Sequence, residues 1–569
     1  MRGAGVFVGL AGVILGVAWG CGGGDDDASG GASSGADGSS GGSSGSSGTG
    51  GPDDGGPTVP PRATCAAAGG SGAPAAPVLL RKLGQSTGEG WLASPAIADL
   101  DGDGKPEIVA ARGGSVVVWR SDGTRAFAFD TGKDRIWASP VVGDFTGDAK
   151  LEIGVAARDS AWLVDASGKA LPGFPKQWGT ETRTLAAGDV DGDGALDLVV
   201  GVRHRSGDST DIVNAYRADG AAVPGFPPVA SGVSGCDPGP CYFAGLYDQN
   251  LAIGDLDGDG KQDLVLPHDN AYASFFKGTG AAFDSAPIYR KRPKTPGVRY
   301  LHSLDQAMQG FADDEQTENQ AHFTNTPPAI ADVDGDGKPD IVMVGSVQNA
   351  AQSDRKRGVA LWVVGHDASR RPGWEEPFHV PEYVMGLGDG FNPDLEGQAA
   401  PGAGNLVGLT NQVTIADVDP NKPGLEMIFA GFDGKIHAVA ADKTELWSTP
   451  YATDGRALTA GLVVADLSAD GVPEIVFATY TPDQGKGALY VLSATGQVLH
   501  TVPLPGRGSM AVPTIGDADG DGTLDIVVSL KDHGEAREGV YVFQVPGSKP
   551  NCLLWPTGRA NALRNGWVR

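Results

Sequence analysis

The sequence predicts an all-β protein, a β-propeller built from four-stranded antiparallel blades, and three observations carry that prediction. A pattern of apolar run, acidic Gly-rich loop and second apolar run recurs eight times. Its first loop aspartates, Asp99, Asp144, Asp189, Asp255, Asp332, Asp417, Asp466 and Asp517, are separated by 45, 45, 66, 77, 85, 49 and 51 residues, which marks a repeat array with variable insertions. The 89 glycines and 39 prolines among 569 residues, with hydrophobic residues at 40%, favour turns over long helices.

Each repeat reads as two hairpins. The first is AIADLDGDGKPEIVAA from Ala96 and its seven counterparts, two apolar strands (a and b) flanking the acidic loop. The second is a run such as SVVVWRSDGTRAFAF, AWLVDASGKALPGFP or KIHAVAADKTELW. There an Asp-Gly, Ser-Gly or similar turn joins two β-branched and aromatic strands, c and d. Eight motifs predict eight blades, with seven plus a degenerate unit as the alternative. The eighth repeat ends after strand c at YVFQV (Tyr541 to Val545), and PVLLRKL (Pro77 to Leu83) reads as an orphan strand d. A blade completed by strands from both termini would close the ring and hide its open edges.

The acidic loops predict metal sites. Three or four carboxylates within nine residues repel one another unless a cation sits among them, and hard oxygen ligands point to calcium. Positions 1, 3, 5 and 9 supply the side chains. Five loops carry the full set: Asp99, Asp101, Asp103 and Glu107; Asp189, Asp191, Asp193 and Asp197; Asp255, Asp257, Asp259 and Asp263; Asp332, Asp334, Asp336 and Asp340; Asp517, Asp519, Asp521 and Asp525. Three are degenerate and are expected to bind more weakly: Asp144, Thr146, Asp148 and Glu152; Asp417, Asp419, Asn421 and Glu426, the last one residue late; Asp466, Ser468, Asp470 and Glu474. Up to eight calcium ions would bring the net charge from -27 to -11. The sites read as structural rather than catalytic, and ion-free Asp-Gly turns are the alternative.

The flanked D-x-D-G-D-G-x-x-D/E pattern resembles the FG-GAP or VCBS-type repeats of the integrin α-subunit N-terminal propeller and of many bacterial surface proteins, over roughly residues 78–546. SPA or PAI stands where GAP would be, which makes the bacterial VCBS-type branch the closer likeness. The resemblance implies a propeller and calcium binding, and says little about activity.

The termini carry further signals. Residues 1–20 combine an early arginine with an apolar stretch of signal-peptide length. The context AWG-C before Cys21 is similar to a bacterial lipoprotein cleavage site, with an ordinary cleaved signal as the alternative. Residues 21–77 then read as a lipid-anchor cysteine and a Gly/Ser/Asp-rich disordered tether, and residues 78–569 as the propeller with a C-terminal tail. These features predict a cell-surface or outer-membrane lipoprotein, or a secreted protein. Of the other cysteines, Cys236 and Cys241 enclose a short loop, while Cys65 and Cys552 would emerge on one side of the ring, so both pairs are disulfide candidates.

Strand parity sorts the loops. The a-b and c-d turns share the metal face, and the b-c and d-a connections, which hold every long insertion, share the other. The longest insertion, 284–326, contains Arg290, Lys291, Arg292, Lys294 and Arg299, candidate ligand-binding cations whose alternative role is pairing with Asp313, Asp314, Glu315 and Glu318. Leu301, Leu304, Met308 and Phe311 have helical spacing. The strong acidity argues against nucleic acid, and no nucleophile triad, phosphate loop or zinc signature occurs. The expectation is a monomeric, surface-tethered module that recognises a protein or glycan through the face opposite the metal loops. The rivals are a polysaccharide-active enzyme such as a calcium-containing lyase, and a structural component of a surface complex. The tail after Asn551 is unassigned beyond packing through Trp555 and Trp567.

Overall fold

The computed structural model describes residues 65–568, apart from 71, 85, 87, 204–210, 236–244, 248, 269–270, 291, 308–318, 324–325, 349–356, 384–411, 453–456, 482–483, 533 and 535–536. The expected signal, Cys21, Cys236 and Cys241 lie outside these residues. Among the described residues no helix is long and apolar enough to cross a membrane.

Eight small antiparallel sheets form eight blades. Blade 1 is typical, with strands a Ala96–Ala98, b Glu107–Arg112, c Ser115–Trp119 and d Arg125–Asp130. Strand b is buried throughout and strand c nearly so, because neighbouring blades cover both faces of each sheet. Strand d alternates exposed and half-buried residues, as an outer rim strand must. Inner strands touch their neighbours around the ring, and between blades 6 and 7 the tail strand Leu553–Trp555 makes the connection.

Blade 8 closes the ring as the orphan strand implied. Thr514–Gly516, Asp525–Ser529 and Val540–Gln544 are completed by Val78–Leu83, in a register that pairs Leu79 with Phe543 and Leu83 with Val540. The blades are less uniform than four strands each. Blade 2 keeps only Lys176–Gln177 as strand d, and blades 3 and 4 have three-stranded ladders, with single bridges Tyr216–Ala222 and Phe276–Ala282 beside strand c. Prolines explain the shortening: Pro172, Pro175, Pro224, Pro227, Pro287 and Pro293 stand where strand d would donate N–H groups. Blade 5 gains Gln320–His322, which pairs with the upper half of its long strand b, Asp340–Gln348.

The tail fills the axis of the ring. Leu553–Trp555 pairs with the inner strand of blade 7, Val463–Ala465, and the chain then passes the other inner strands in turn. Pro556 O accepts from Ile515 N, Ala562 O from Val142 N, Leu563 O from Ala187 N, Asn565 O from Ile253 N, and Gly566 O from Ile330 N. Two arginines lock this plug, Arg559 2% and Arg564 0% exposed. Arg564 donates to the carbonyls of Ser94, Pro95, Pro140 and Gly558 and to the Thr557 hydroxyl, and Arg559 to those of Leu185, Gln249 and Leu251. Burial lowers the Arg564 pKa to about 9 and that of Arg559 well below its ordinary value.

Order begins earlier than residue 78. Cys65 and Cys552 are joined by a disulfide, and Ala68 N and Gly70 N donate to Ala469 O in the seventh acidic loop. Residues 65–70 therefore belong to the propeller rather than to the tether that the composition implies. The sequence offers only Gly and Ala there; the fixing groups are the disulfide and the loop carbonyl.

Two outcomes are expected. Arg564→Met leaves several buried carbonyls without a donor, each costing about 1–3 kcal/mol, so denaturant unfolding should show a loss of at least about 3 kcal/mol. Cys552→Ser opens a closure of 487 residues and should lower unfolding free energy by up to about 5 kcal/mol, with no change for the reduced wild type relative to the reduced variant.

Candidate metal loops and the opposite face

Each acidic loop is built on one repeated contact. The closing carboxylate, at the start of strand b, is buried and accepts a hydrogen bond from the N–H at loop position 2. The pairs are Glu107 with Leu100 (2.9 Å), Glu152 with Phe145 (2.8 Å), Asp197 with Val190 (3.1 Å) and Asp263 with Leu256 (2.9 Å). Asp340 with Val333 (3.1 Å), Glu426 with Val418 (2.8 Å), Glu474 with Leu467 (2.7 Å) and Asp525 with Ala518 (3.0 Å) complete the set. The first aspartate gathers the turn from the other side: Asp99 accepts from Gly102 N at 2.9 Å and Gly104 N at 2.8 Å. Gly102 and Gly104 adopt φ of 77° and 82°, a region that favours glycine. The second and seventh loops put Ala149 (φ 67°) and Ala469 (φ 59°) into such positions, a backbone strain that the full loops avoid.

In five loops three carboxylates converge, with ligand oxygens within 4.8 Å of one another: Asp99, Asp101 and Glu107; Asp189, Asp191 and Asp197; Asp255, Asp257 and Asp259; Asp332, Asp334 and Asp336; Asp517, Asp519 and Asp521. These are the five loops with complete ligand sets. In the second loop the Thr146 hydroxyl donates to Glu152 at 3.2 Å. In the sixth Asn421 turns to Asp419 at 3.2 Å, and in the seventh Asn551 of the tail caps Asp466 at 2.8 Å.

The residues fit a hard cation. Buried Asp191 Oδ1, Asp257 Oδ1 and Asp525 Oδ1 have no hydrogen-bond partner, although burying an ionised oxygen without one is costly. Protein cations approach several loops: Arg217 pairs with Asp191, Lys277 with Asp257 at 2.6 Å, Arg81 with Asp519 at 3.1 Å, and Arg371 with Asp340. Burial first, then the neighbouring aspartates, push the closing groups up: Asp197, Glu474 and Asp525 to about 7, Asp263 to about 8, and Glu107 and Glu152 above their ordinary values. Asp340 reaches only about 6 because Arg371 holds its charge.

The basic insertion is not a single patch. Strand d of blade 4 begins at Ala282–Asp284, leaves strand c, and returns at 295–299, where Tyr272 bridges Arg299. The excursion between is pinned by the Asp284–Lys294 bridge and docks through Ala286 N on Asp367 O, in the c-d turn of blade 5. By strand parity that turn lies on the metal side of the ring, so Arg290, Arg292 and Lys294 do not stand on the opposite face. Arg290 is exposed, Lys294 is paired with Asp284 at 2.7 Å, and Lys291 lies outside the described residues. Arg299 does reach the opposite side, but it is 2% exposed and packs over Tyr272. Prolines 287, 293 and 296 break the strand and throw the excursion outward. The expected helix is one turn, Leu304–Ala307, with Leu301 bridged to Gln320; Met308, Phe311 and the acids 313–318 lie outside the described residues.

The face opposite the metal loops instead carries a chain of cations and aromatic rings over blades 8 and 1 to 3. Lys531 Nζ lies 3.3 Å from the Trp91 ring centroid, and Trp91 stacks on Trp137 at 5.0 Å. Arg135 covers both tryptophans, Arg183 lies between Trp137 (4.4 Å) and Tyr247 (5.4 Å), and Arg203 covers Tyr247 at 5.1 Å. Each blade contributes one or two of these residues from a crossover or a strand end, so no local sequence motif marks them.

FG-GAP-like repeats occur in this chain: a model described as "FG-GAP-like repeat" matches residues 70–155 and 466–528. Among characterised proteins, the rhamnogalacturonan endolyase YesW of Bacillus subtilis (strain 168) is 26% identical over 290 residues, 47% of this chain and 43% of that enzyme. The chain thus matches less than half the length of that relative. Among solved structures, the V. cholerae biofilm matrix protein Bap1 is 13% identical, with 88% of this chain and 93% of that one covered and a TM-score of 0.33. The exotype rhamnogalacturonan lyase YesX is 12% identical, covering 84% and 94%, with a TM-score of 0.29.

The raised carboxyls set a pH dependence. A carboxyl whose pKa rises on folding stabilises the fold fully below its unfolded value near 4, and loses that contribution as pH climbs through about 6 to 8. Chelator-treated protein should therefore unfold at lower temperature at about pH 8.5 than at about pH 5.5, with calcium removing most of the difference. Calcium titrations at about pH 6.5 should release protons, seen as a dependence of calorimetric heat on buffer ionisation enthalpy; buffer-independent heats would contradict this. Asp263→Asn should remove about 1.4 kcal/mol of stabilisation at a calcium level tenfold above the site's dissociation constant.

Proposed function

We propose that this chain is a calcium-stabilised propeller that recognises a polysaccharide through the face opposite its metal loops. The observation that carries the reading is the division of labour between the two faces. The metal-side hairpins are short and repeat one geometry, whereas the opposite face collects the b-c and d-a connections, where most of the insertions and an aromatic and cationic surface occur. Loops that vary on a rigid scaffold are where binding usually resides. Calcium suits the oxygen-only ligand sets, and its role is structural. Identity to a rhamnogalacturonan endolyase favours a glycan over a protein ligand. The leader and Cys21 favour display at a cell surface by a lipid anchor.

A second reading, turnover of the bound glycan by a lyase reaction, has the same relative in its favour. Immobilised acidic and neutral polysaccharides should retain the protein in calcium and release it in chelator. Accumulation of unsaturated uronate product, followed by its ultraviolet absorbance, would establish the enzyme; retention without product would establish the binding module. Failure to bind any glycan, together with capture of a stoichiometric protein partner, would sink both in favour of a structural component.

A further inference from the structure

The cation and aromatic chain is tied to the axial plug through shared crossovers. Arg559 and Arg564 bond to the carbonyls of Ser94, Pro95, Pro140, Gln249 and Leu251, at or just before the starts of inner strands of blades 1, 2 and 4. The same d-a crossovers carry Trp91, Trp137 and Tyr247 a few residues earlier. The carbonyls that hold both guanidinium groups are thus two to four residues along the chain from the aromatic rings. Their named partners are carbonyl dipoles and a hydroxyl. Among the described residues Glu89 lies 2.9 Å from Lys531, and Glu181 lies 2.8 Å from Arg183 and 3.2 Å from Arg135. Four cations thus gather along one track of a protein whose net charge is -27.

Exposure divides the chain into a base and a working edge. Trp137, Arg183 and Lys531 are essentially buried, while Trp91, Arg135, Arg203 and Tyr247 are half-buried and reach solvent. Successive rings and cations lie 4.4 to 5.7 Å apart over most of its length, the scale of a single sugar ring. Guanidinium groups take carboxylates in charge-assisted, bidentate hydrogen bonds. Trp91 stacks on Trp137 and carries Lys531 over its ring, so its solvent-reaching edge borders the track. We propose that this track, with Arg135 and Arg203 as carboxylate clamps beside the edges of Trp91 and Tyr247, binds a uronate-containing polysaccharide. The assignment rests on the glycan reading above and gives it a ligand class and a place. An acidic polypeptide would also satisfy the cations, and poly-glutamate in the test below separates the two.

The test uses the full chain in calcium and measures binding of oligogalacturonates and rhamnogalacturonan oligosaccharides by calorimetry, with neutral galactan oligosaccharides and poly-glutamate as comparators. The intact protein should bind the uronate oligosaccharides and neither comparator. Arg135→Gln with Arg203→Gln should weaken that binding by about tenfold or more, and Arg203→Lys should recover only part of it, because an ammonium cannot make the bidentate contact. Arg290→Gln with Lys294→Gln, on the metal side, should leave it unchanged. Thermal unfolding in calcium checks each variant. If the paired arginine variant is destabilised, Trp91→Leu replaces it, read by the same calorimetry. Undiminished binding in the Arg135/Arg203 and Trp91 variants would overturn this placement while leaving the glycan reading standing. Equal binding of poly-glutamate would overturn the sugar class. No binding of any oligosaccharide by the intact chain would overturn the glycan reading and this site together.

Discussion

A ring of short inner strands creates a problem that the rest of this structure answers. Each innermost strand is only three residues long in most blades, and its free edge faces the axis with backbone groups that have no partner within their own blade. Buried backbone groups left unpaired are too costly to keep. The tail supplies acceptors to five of these strands in succession, and its two arginines donate to the carbonyls beside them. The axis is thereby a packed core rather than a pore. The C-terminal segment thus acts as a ninth structural element, although its composition looks like a loop.

The metal loops couple to that ring through strand b. The closing carboxylate is both the last candidate ligand and the buried group that fixes the second loop residue, so loop geometry and strand register share the same atoms. This explains why the contact persists in all eight repeats, including the three whose other ligands have drifted. It also explains the uneven electrostatics. Asp263, buried and close to Asp257 and Asp259, is pushed up furthest, whereas Asp340, beside Arg371, is pushed up least among the aspartates.

The fold was legible because it is repeated. Eight copies of one hairpin, with fixed positions for Asp and Gly, reveal blade number, the face that carries the acidic loops and the orphan strand at Val78–Leu83. Apart from the Cys65–Cys552 disulfide, features that occur once were not legible. The plug depends on Arg559 and Arg564 meeting carbonyls hundreds of residues away, and nothing in their local sequence sets them apart from surface arginines. The cluster of Arg290 to Arg299 looked like one basic patch, yet prolines fold it so that its members point to different sides of the ring. The track on the opposite face was hidden for the converse reason. Trp91, Trp137, Arg183 and Tyr247 come from separate repeats, and only closure of the ring brings them together.

Closure by Val78–Leu83 has a consequence for how the molecule is made. Its partner, Val540–Gln544, leaves the ribosome some 460 residues later, a wait of roughly 20 to 90 seconds at ordinary synthesis rates. Throughout that interval a nascent arc displays an unpaired edge strand rich in leucine and valine, the kind of surface on which other chains assemble. Arg81 and Lys82 interrupt that apolar run and blunt it. Because the axial plug is translated after the eighth blade, a chain terminated before it lacks both the clasp and the filling. Only a chain synthesised through the plug can mature into the closed form, so the topology itself discriminates against incomplete translation.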